Sequence, residues 1–284
     1  MLFTHEFVTD RIVRIRDLSY TAMYLVFGDD KTVLLDTGIG IGNVKEYINE
    51  QFKKDVDYVI LTHGHLDHAS GAILFKDLPI YMHANDLSLM NKHVFNKENR
   101  IQYTLNALSH FKKGKAAFKD EDILDGLDSS YTIPLNDNDE FDLGGITLKA
   151  IHTPGHTQGM CMILFKEERI ILFGDGCGVG VLLVEECCST VEEYRKTLLK
   201  VKTYEDQYDR IIRNHGTCES PKELLDNVID VCSDILEGKD DHIPANAPIK
   251  CDYPCFMAKA TVSNSQSRVD GKEGNIIYAS NKIR

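Results

Sequence analysis

The chain has 284 residues, of which 43% are hydrophobic and 27% are charged. These proportions are typical of a globular protein and exclude collagen-like, coiled-coil and wholly disordered chains. Asp and Glu number 44 against 32 Lys and Arg, which gives a net charge of -12. Because an acidic surface repels nucleic-acid phosphates, no nucleic-acid partner is expected.

The sequence predicts no targeting or membrane-spanning segment. The first ten residues, MLFTHEFVTD, lack the basic and apolar regions of a secretory signal. The most apolar later stretch, Ile170 to Val184, is interrupted by Asp175 and by several glycines. We therefore expect a cytoplasmic protein with no membrane partner, whose eight cysteines are reduced thiols.

Short apolar runs bounded by polar or turn residues predict the strands. These runs lie at 24–27, 32–35, 58–61, 80–82, 146–151, 160–165, 170–173, 210–212 and 276–278. Helical periodicity predicts helices at 44–52, 68–76, 99–111, 191–201 and 221–236. Ser220 and Pro221 are typical of the cap and first turn of the last helix. Because strands and helices alternate, the predicted fold class is α/β or α+β.

Residues 84–131 break this alternation and predict an inserted helical segment. We expect it to interrupt a domain of residues 1–237, with 238–284 as a C-terminal extension packed on the same domain. The insertion has two interpretations, a solvated lysine-rich face or a lid over a cleft that contacts the substrate. The residues concerned are Lys112, Lys113, Lys115 and Lys119 for the face, and Phe95, Tyr103, Phe111 and Phe118 for the lid.

The strongest functional signal is the run THGHLDH at residues 62–68, directly after the predicted strand 58–61. A buried strand ends rigidly, and alternate side chains leaving it can point into one crevice. His63 and His65 are therefore expected to point together. Asp67 and His68 lie where the next helix begins, so this pair is offset and suited to a second metal ion.

Three further predicted strands also end in possible metal ligands with a glycine beside them. Strand 146–151 leads to His156, strand 170–173 to Asp175, and strand 210–212 to His215. The full candidate set is nitrogen-rich, which suits Zn²⁺, although Fe and Mn also fit. It comprises His63, His65, His68, His156, His215, Asp67 and Asp175.

With the run LLDTG at residues 34–38 ahead of it, this ordered set resembles the metallo-β-lactamase-fold hydrolase superfamily over residues 24–216. The resemblance implies a four-layered αβ/βα sandwich, with two sheets packed face to face and helices outside. It also implies two divalent metal ions that share Asp175 as a bridging ligand. The ligands implied for one ion are His63, His65 and His156, and those for the other are Asp67, His68 and His215.

Two ions in such a site share a hydroxide that attacks an electrophilic centre, and Asp67 and Asp175 are the candidate catalytic proton acceptors. Asp36 ends its own predicted strand and is a candidate to orient a ligand histidine from outside the metal shell. His152 is a candidate for the same role beside His156.

The expected function is a dinuclear metal-dependent hydrolase of a small ester, thioester or lactone. A carboxylate at Asp175 resembles glyoxalase II-like thioesterases, lactonases and phosphodiesterases more than the true β-lactamases. Gly178 stands where quorum-quenching lactonases carry tyrosine, which weakens that assignment. The alternatives are a mononuclear-iron oxidoreductase similar to persulfide dioxygenases, and a phosphodiesterase. The expected partner is a small-molecule substrate, and the sequence is compatible with a homodimer.

The remaining motifs favour structural roles. Gly38-x-Gly40-x-Gly42 lacks the final glycine of the dinucleotide-binding pattern, so a turn is expected. Cys251 and Cys255 have no second pair at zinc spacing, which favours buried thiols. For Cys177, near Asp175 in sequence, packing is favoured over modulation of the site. Ordinary structural roles are also expected for His5, His83, His93, His110 and His242.

Overall fold

The computed structural model describes residues 1–110, 117–246, 251–263, 265 and 267–284. Phe111, Lys112, Lys113 and Lys115 of the predicted insertion lie outside the described residues. The chain forms two compact units. The first contains residues 1–149 and 214–216, and the second contains residues 150–213 and 217–284.

The first unit is built on a seven-stranded sheet whose strands follow one another in chain order. They are β1 (Thr4–Phe7), β2 (Ile12–Arg16), β3 (Ala22–Phe27), β4 (Thr32–Leu35), β5 (Tyr58–Ile60), β6 (Ile80–Met82) and β7 (Ile133–Pro134). β1 to β4 are antiparallel, whereas β4 to β7 are parallel. The carboxyl ends of β4 and β5 therefore meet at one edge, from which Asp36 and the run 62–68 emerge.

The helices of this unit follow the parallel strands. They are α1 (Val44–Phe52), α2 (Leu66–Ala69), α3 (Leu87–Val94) and α4 (Lys97–His110). α1 begins where predicted, and the Asn43 side chain accepts a hydrogen bond from Glu46 N at 3.0 Å. The helix predicted at 68–76 is wrong in type, because α2 is followed by a 3₁₀ helix at Ser70–Phe75. Gly71 allows the 3₁₀ helix to pack closely against the backbone of Thr37, since a Cβ at this position would lie 2.2 Å from Thr37 O.

Two apolar clusters hold the first unit together. One packs the inward faces of the central strands, such as Leu34, Val59 and Ile80, against α1 and the segment after α2. The other packs Leu108 of α4 against Leu18 and other apolar side chains. A hairpin of β8 (Glu140–Asp142) with the beginning of β9 (Thr147–His152) completes the unit.

The second unit contains a sheet built from the end of β9 and from β10 (Cys161–Phe165), β11 (Ile170–Leu172), β13 (Arg210–Ile212) and β14 (Glu219–Ser220). The strand order is β14-β13-β11-β10, followed by the end of β9. Helices α5 (Val191–Lys202) and α6 (Leu224–Glu237) pack on a shared core that includes Tyr194 and Val228. The predicted start of α6 at Pro221, capped by Ser220, is wrong, because Ser220 pairs with Ile211 in the sheet and the helix begins at Leu224.

A four-stranded sheet in the second unit uses the C-terminal segment. Its order is β12-β17-β16-β15, with β12 (Val181–Leu183), β15 (Ile243–Ala245), β16 (Cys255–Met257) and β17 (Ile276–Ala279). β17 pairs in parallel with β12, which lies directly after the Asp175 loop. The predicted limits of domain and extension stay a prediction. Among the described residues, no helix combines the length and apolar character needed to cross a bilayer.

Candidate metal centre

The run 62–68 turns sharply from β5 into α2 in the first unit. His63 and His65 point together, with His63 Nε2 3.1 Å from His65 Nδ1. Gly64 between them is required by crowding, because a Cβ there would lie 2.8 Å from Asp86 O. The buried Asp86 carboxylate accepts a hydrogen bond from Gly64 N at 3.0 Å and holds the turn.

Asp36 organises the run from the end of β4. Its carboxylate is fully buried and accepts hydrogen bonds from Thr62 N (2.7 Å), His68 Nδ1 (2.9 Å) and Asn214 Nδ2 (3.0 Å). Because a carboxylate only accepts, Nδ1 of neutral His68 carries the proton and Nε2 keeps its lone pair for an ion. Asp36 adopts a φ of 60°, a left-handed conformation that Asp tolerates better than most residues.

Asp67, His68 and His215 form a group that fits a metal ion. One possible ligand atom from each lies within 4.8 Å of the other two. Asp67 Oδ2 is 3.4 Å from His215 Nε2 and 3.7 Å from His68 Nε2. Imidazole nitrogen and carboxylate oxygen together are donors that suit Zn²⁺, Fe or Mn. This donor set therefore fits the second ion of the predicted pair.

A chain of hydroxyl groups links Asp67 to a second buried carboxylate, which the sequence did not reveal. Thr21 Oγ1 donates to Asp67 Oδ2 at 3.1 Å, Ser19 Oγ lies 3.0 Å from Thr21 Oγ1, and Ser19 Oγ donates to Asp17 Oδ1 at 2.6 Å. Burial raises the pKa of Asp17 to about 6. No motif marks these residues, which lie in the turn between β2 and β3.

Residues of the predicted insertion contact Asp67 and His65 of the run 62–68. The Tyr103 hydroxyl, on α4, donates to Asp67 Oδ2 at 2.8 Å. The His93 ring, on α3, stacks on His65 with 5.2 Å between ring centroids. His93 was expected to be an ordinary histidine, and only the folded structure shows this stacking. Of the other lid candidates, Phe95 is exposed and Phe118 is buried in the core.

In the second unit, His156 lies in the loop that follows β9. Its Nδ1 donates to Leu182 O at 3.0 Å, which fixes the proton on Nδ1 and leaves the Nε2 lone pair for an ion. Nε2 lies 3.8 Å from Asp175 Oδ2, so these two predicted ligands face each other. The Cys188 thiol donates to His156 O at 3.0 Å and also braces the loop.

His152 and Cys177 have defined surroundings in the second unit. His152 Nε2 donates to Gln158 O at 2.9 Å, so the ring closes the loop that carries His156. Its proposed role beside the metal stays a prediction. Cys177 is fully buried, and burial raises the pKa of its thiol to about 12. A thiol that stays protonated and lies in the apolar core is consistent with packing.

The glycine run and the remaining lysine of the insertion have structural roles. Gly38, Gly40 and Gly42 have φ values of 74°, 72° and 89°, which supports the predicted turn. Lys119 is exposed and pairs with Glu121 at 3.0 Å, as on a solvated face.

Comparison with known proteins shows the family to which the chain belongs. Residues 16–208 match the family model described as the metallo-beta-lactamase superfamily. The chain therefore belongs to the metallo-β-lactamase superfamily, whose members are mostly metal-dependent hydrolases. The predicted resemblance and the predicted mixed α/β fold class are both confirmed.

Curated relatives match over most of this chain at low identity. An acyl-coenzyme A thioesterase, MBLAC2 of Homo sapiens, is 24% identical over 79% of this chain and 77% of its own length. The metallo-beta-lactamase fold-containing protein ST1585 of Sulfurisphaera tokodaii is 25% identical over 72% of this chain and 76% of its own. Lactamase-like protein aptB of Emericella nidulans is 29% identical over 63% of this chain, and the match spans only 50% of aptB.

Solved structures show the same fold. The archaeal ST1585 structure from Sulfolobus tokodaii has a TM-score of 0.51 and 20% identity, covering 82% of this chain and 86% of that one. A metallo-beta-lactamase from Pontibacter korlensis has a TM-score of 0.55 and 14% identity, covering 81% of this chain and 99% of that one. At these identities the similarity concerns the fold alone.

Proposed function

We propose that this protein is a dinuclear metal-dependent hydrolase of small thioesters, esters or lactones, with a thioester as the first substrate to test. The group formed by Asp67, His68 and His215 carries the proposal, because its donors suit a divalent ion and belong to the motif expected to bind one. The thioesterase named among the relatives supports the choice of a thioester.

The proposed ligand assignment follows the family motif. His63, His65 and His156 are proposed for one ion, Asp67, His68 and His215 for the other, and Asp175 as the bridge. Two hydrogen bonds inside the units support it, since Asp36 and Leu182 O each hold Nδ1 of a proposed ligand and leave Nε2 for binding. Zinc is the proposed metal, because the donor set is rich in nitrogen.

When bound, divalent ions lower the pKa of a water and polarise the carbonyl oxygen of a substrate. The residues of this chain would hold the ligand rings in one tautomer through Asp36 and the Leu182 carbonyl. Asp67 and Asp175 are proposed to accept a proton during the cycle. The proposed partner is a small molecule, in keeping with the net charge of -12, which disfavours long polyanions.

Metal analysis combined with a substrate panel tests the proposal. We expect two zinc or manganese ions per chain and hydrolysis of at least one member of a panel of thioester, p-nitrophenyl ester, lactone and phosphodiester. Hydrolysis of the phosphodiester alone would favour the phosphodiesterase alternative. One iron per chain with oxygen consumption on a persulfide would contradict the proposal and favour the oxidoreductase.

Two variants test the ligand group directly. Asp67→Ala and His68→Ala should leave a folded protein with less bound metal and much lower activity. His5→Ala is the matched control, because it removes an exposed imidazole whose partner is Tyr47 at 2.8 Å. Full turnover in a metal-free Asp67→Ala/His68→Ala double mutant would refute the dinuclear mechanism.

A further inference from the structure

Asp67 Oδ2 is where the inserted segment meets the proposed metal ligands. It accepts hydrogen bonds from Tyr103 OH at 2.8 Å and from Thr21 Oγ1 at 3.1 Å. The same oxygen lies 3.4 Å from His215 Nε2. Thr21 is fully buried beside β3, whereas Tyr103 is 37% exposed and reaches the carboxylate from α4. Two hydroxyl donors on one carboxylate oxygen therefore fix its orientation from two directions.

Buried residues on both sides of Tyr103 hold helix α4 in place, and this places the Tyr103 hydroxyl at Asp67. Arg100, one turn earlier, is fully buried and donates to Leu124 O at 2.6 Å and to Gly40 O at 3.4 Å. Burial lowers the pKa of this guanidinium, although it stays charged at neutral pH. Five residues beyond Tyr103, Leu108 is buried in the apolar cluster that contains Ile39. Anchors on both sides hold the phenol where its hydroxyl meets Asp67.

We infer that Tyr103 is a positioning residue that couples α4 of the inserted segment to metal binding at Asp67. Its hydroxyl and that of Thr21 take the two lone-pair sites of Oδ2, which leaves the sites of Oδ1 for an ion shared with His68 and His215. The inference rests on the proposed function only in requiring that Asp67 binds an ion. It does not depend on which substrate is hydrolysed.

Coupling of this kind works in both directions. If the Tyr103 hydrogen bond increases the affinity of Asp67 for an ion by some factor, the ion must favour the seated position of α4 by the same factor. A hydrogen bond with a purely structural role would have the same strength with and without bound metal. Protection of the α4 amides against hydrogen exchange, with and without metal, therefore separates the two roles.

Tyr103→Phe removes the hydroxyl and keeps the ring. Zinc affinity is measured by competition with a chromophoric chelator. The relevant ion is the one whose binding is lost in Asp67→Ala. We expect Tyr103→Phe to bind that ion 10- to 100-fold more weakly, the range found when a partner of a metal ligand is lost. Tyr131→Phe is the matched control, because it removes a 58% exposed phenol of the same segment and should keep wild-type affinity.

Hydrogen exchange of residues 97–110 gives the second measurement. In the wild type, zinc should slow exchange in α4, and in Tyr103→Phe this slowing should largely disappear. Thr21→Val removes the other hydroxyl donor to Asp67. It should weaken zinc binding but preserve the slowing at saturating zinc, because Thr21 is not on α4.

Equal zinc affinity and equal zinc-dependent protection in Tyr103→Phe and the wild type would overturn the inference. The inference would also be overturned if Asp67→Ala bound as many ions as the wild type. Neither measurement involves turnover. A protein that behaves as expected here but hydrolyses none of the panel substrates would refute the proposed function and leave the coupling intact.

Discussion

The two units bury different ionisable groups. Of the described residues, the buried carboxylates all lie in the first unit, and they are Asp17, Asp36, Asp67 and Asp86. All eight cysteines belong to the second unit, where six are buried together with the phenols of Tyr194 and Tyr208. Burial raises the pKa of Cys177 and of both phenols, which keeps these groups neutral at physiological pH. The first unit therefore buries hydrogen-bonded carboxylates. Among the described residues of the second unit, the buried charged side chains are Arg213 and Arg268, while Cys177, Tyr194 and Tyr208 pack as neutral groups.

Removing the most connected buried carboxylate should have the largest effect. Asp36→Ala removes the acceptor of the buried donors Thr62 N and His68 Nδ1 and one of the two acceptors of Asn214 Nδ2. We expect a loss of about 3–5 kcal/mol in the free energy of unfolding, measured by urea denaturation of metal-free protein. Zinc affinity should also fall, since His68 loses the group that orients its ring.

Asp57→Ala is the control for this substitution. Asp57 is exposed and accepts a hydrogen bond from Thr32 N at 2.7 Å. A single part-buried hydrogen bond to an exposed carboxylate should contribute about 1 kcal/mol. Similar losses in the two variants would mean that burial of the carboxylate does not set the energy.

The pH dependence of stability should come from Asp17 in the first unit. Its pKa is about 6 in the folded protein, and the usual value is 3.8. Between these values the folded state binds a proton that the unfolded state does not. Stability should therefore fall as the pH rises from about 4 to 6, by about 3 kcal/mol.

Asp17→Asn tests this titration. The urea unfolding free energy of the metal-free wild type is compared with that of the variant at several pH values. The difference between the two curves should change between pH 4 and 6 and level off above that range. Parallel curves would contradict the raised pKa of Asp17.

A buried phenol in the second unit should give a smaller and pH-independent effect. The fully buried Tyr194 hydroxyl donates to Gly176 O at 2.7 Å. Tyr194→Phe should lower the free energy of unfolding by about 1–2 kcal/mol, equally at pH 4 and pH 7. A pH-dependent loss would break the contrast between the two units.

The smallest expected effect lies at the start of α5. Thr190 Oγ1 accepts from Glu193 N at 3.3 Å, and the Glu193 side chain accepts from Thr190 N at 3.0 Å. Thr190→Ala should cost about 1 kcal/mol in urea denaturation. Thr190→Ser keeps a hydroxyl cap and should retain most of the stability, whereas equal losses would exclude capping as the cause.

Several buried apolar strands were predicted from sequence, because their signal is local. β4, β6 and β13 match the predicted runs, and α1 matches its helix. β1 and β2 were missed, since β1 is exposed and β2 carries Arg14 and Arg16 among its apolar residues. Arg14 is nevertheless buried, with its charge paired to Glu6 at 2.9 Å, a contact that no local pattern indicates.

For the candidate site, spacing predicted the ligand motif but not its surroundings. His63 and His65 lie together as the run 62–68 indicated, and Asp36 contacts His68 as a strand-end acceptor. Thr21 and Asp17 could not be found from the spacing of the motif, because they lie in a turn far away in the sequence and only Thr21 contacts the motif directly. His156 is oriented by a backbone carbonyl, which every residue possesses and no sequence pattern can mark.

The parallel pairing of β12 with β17 has a consequence for how the second unit folds. Val181 pairs with Ile276, so a long loop of the chain must close when this pairing forms. Contacts between such distant residues carry a high loop-closure cost and slow folding. We expect the β12–β17 pairing to form late, and the segment between Asp175 and β12 to acquire its native hydrogen bonds only in the final phase of refolding.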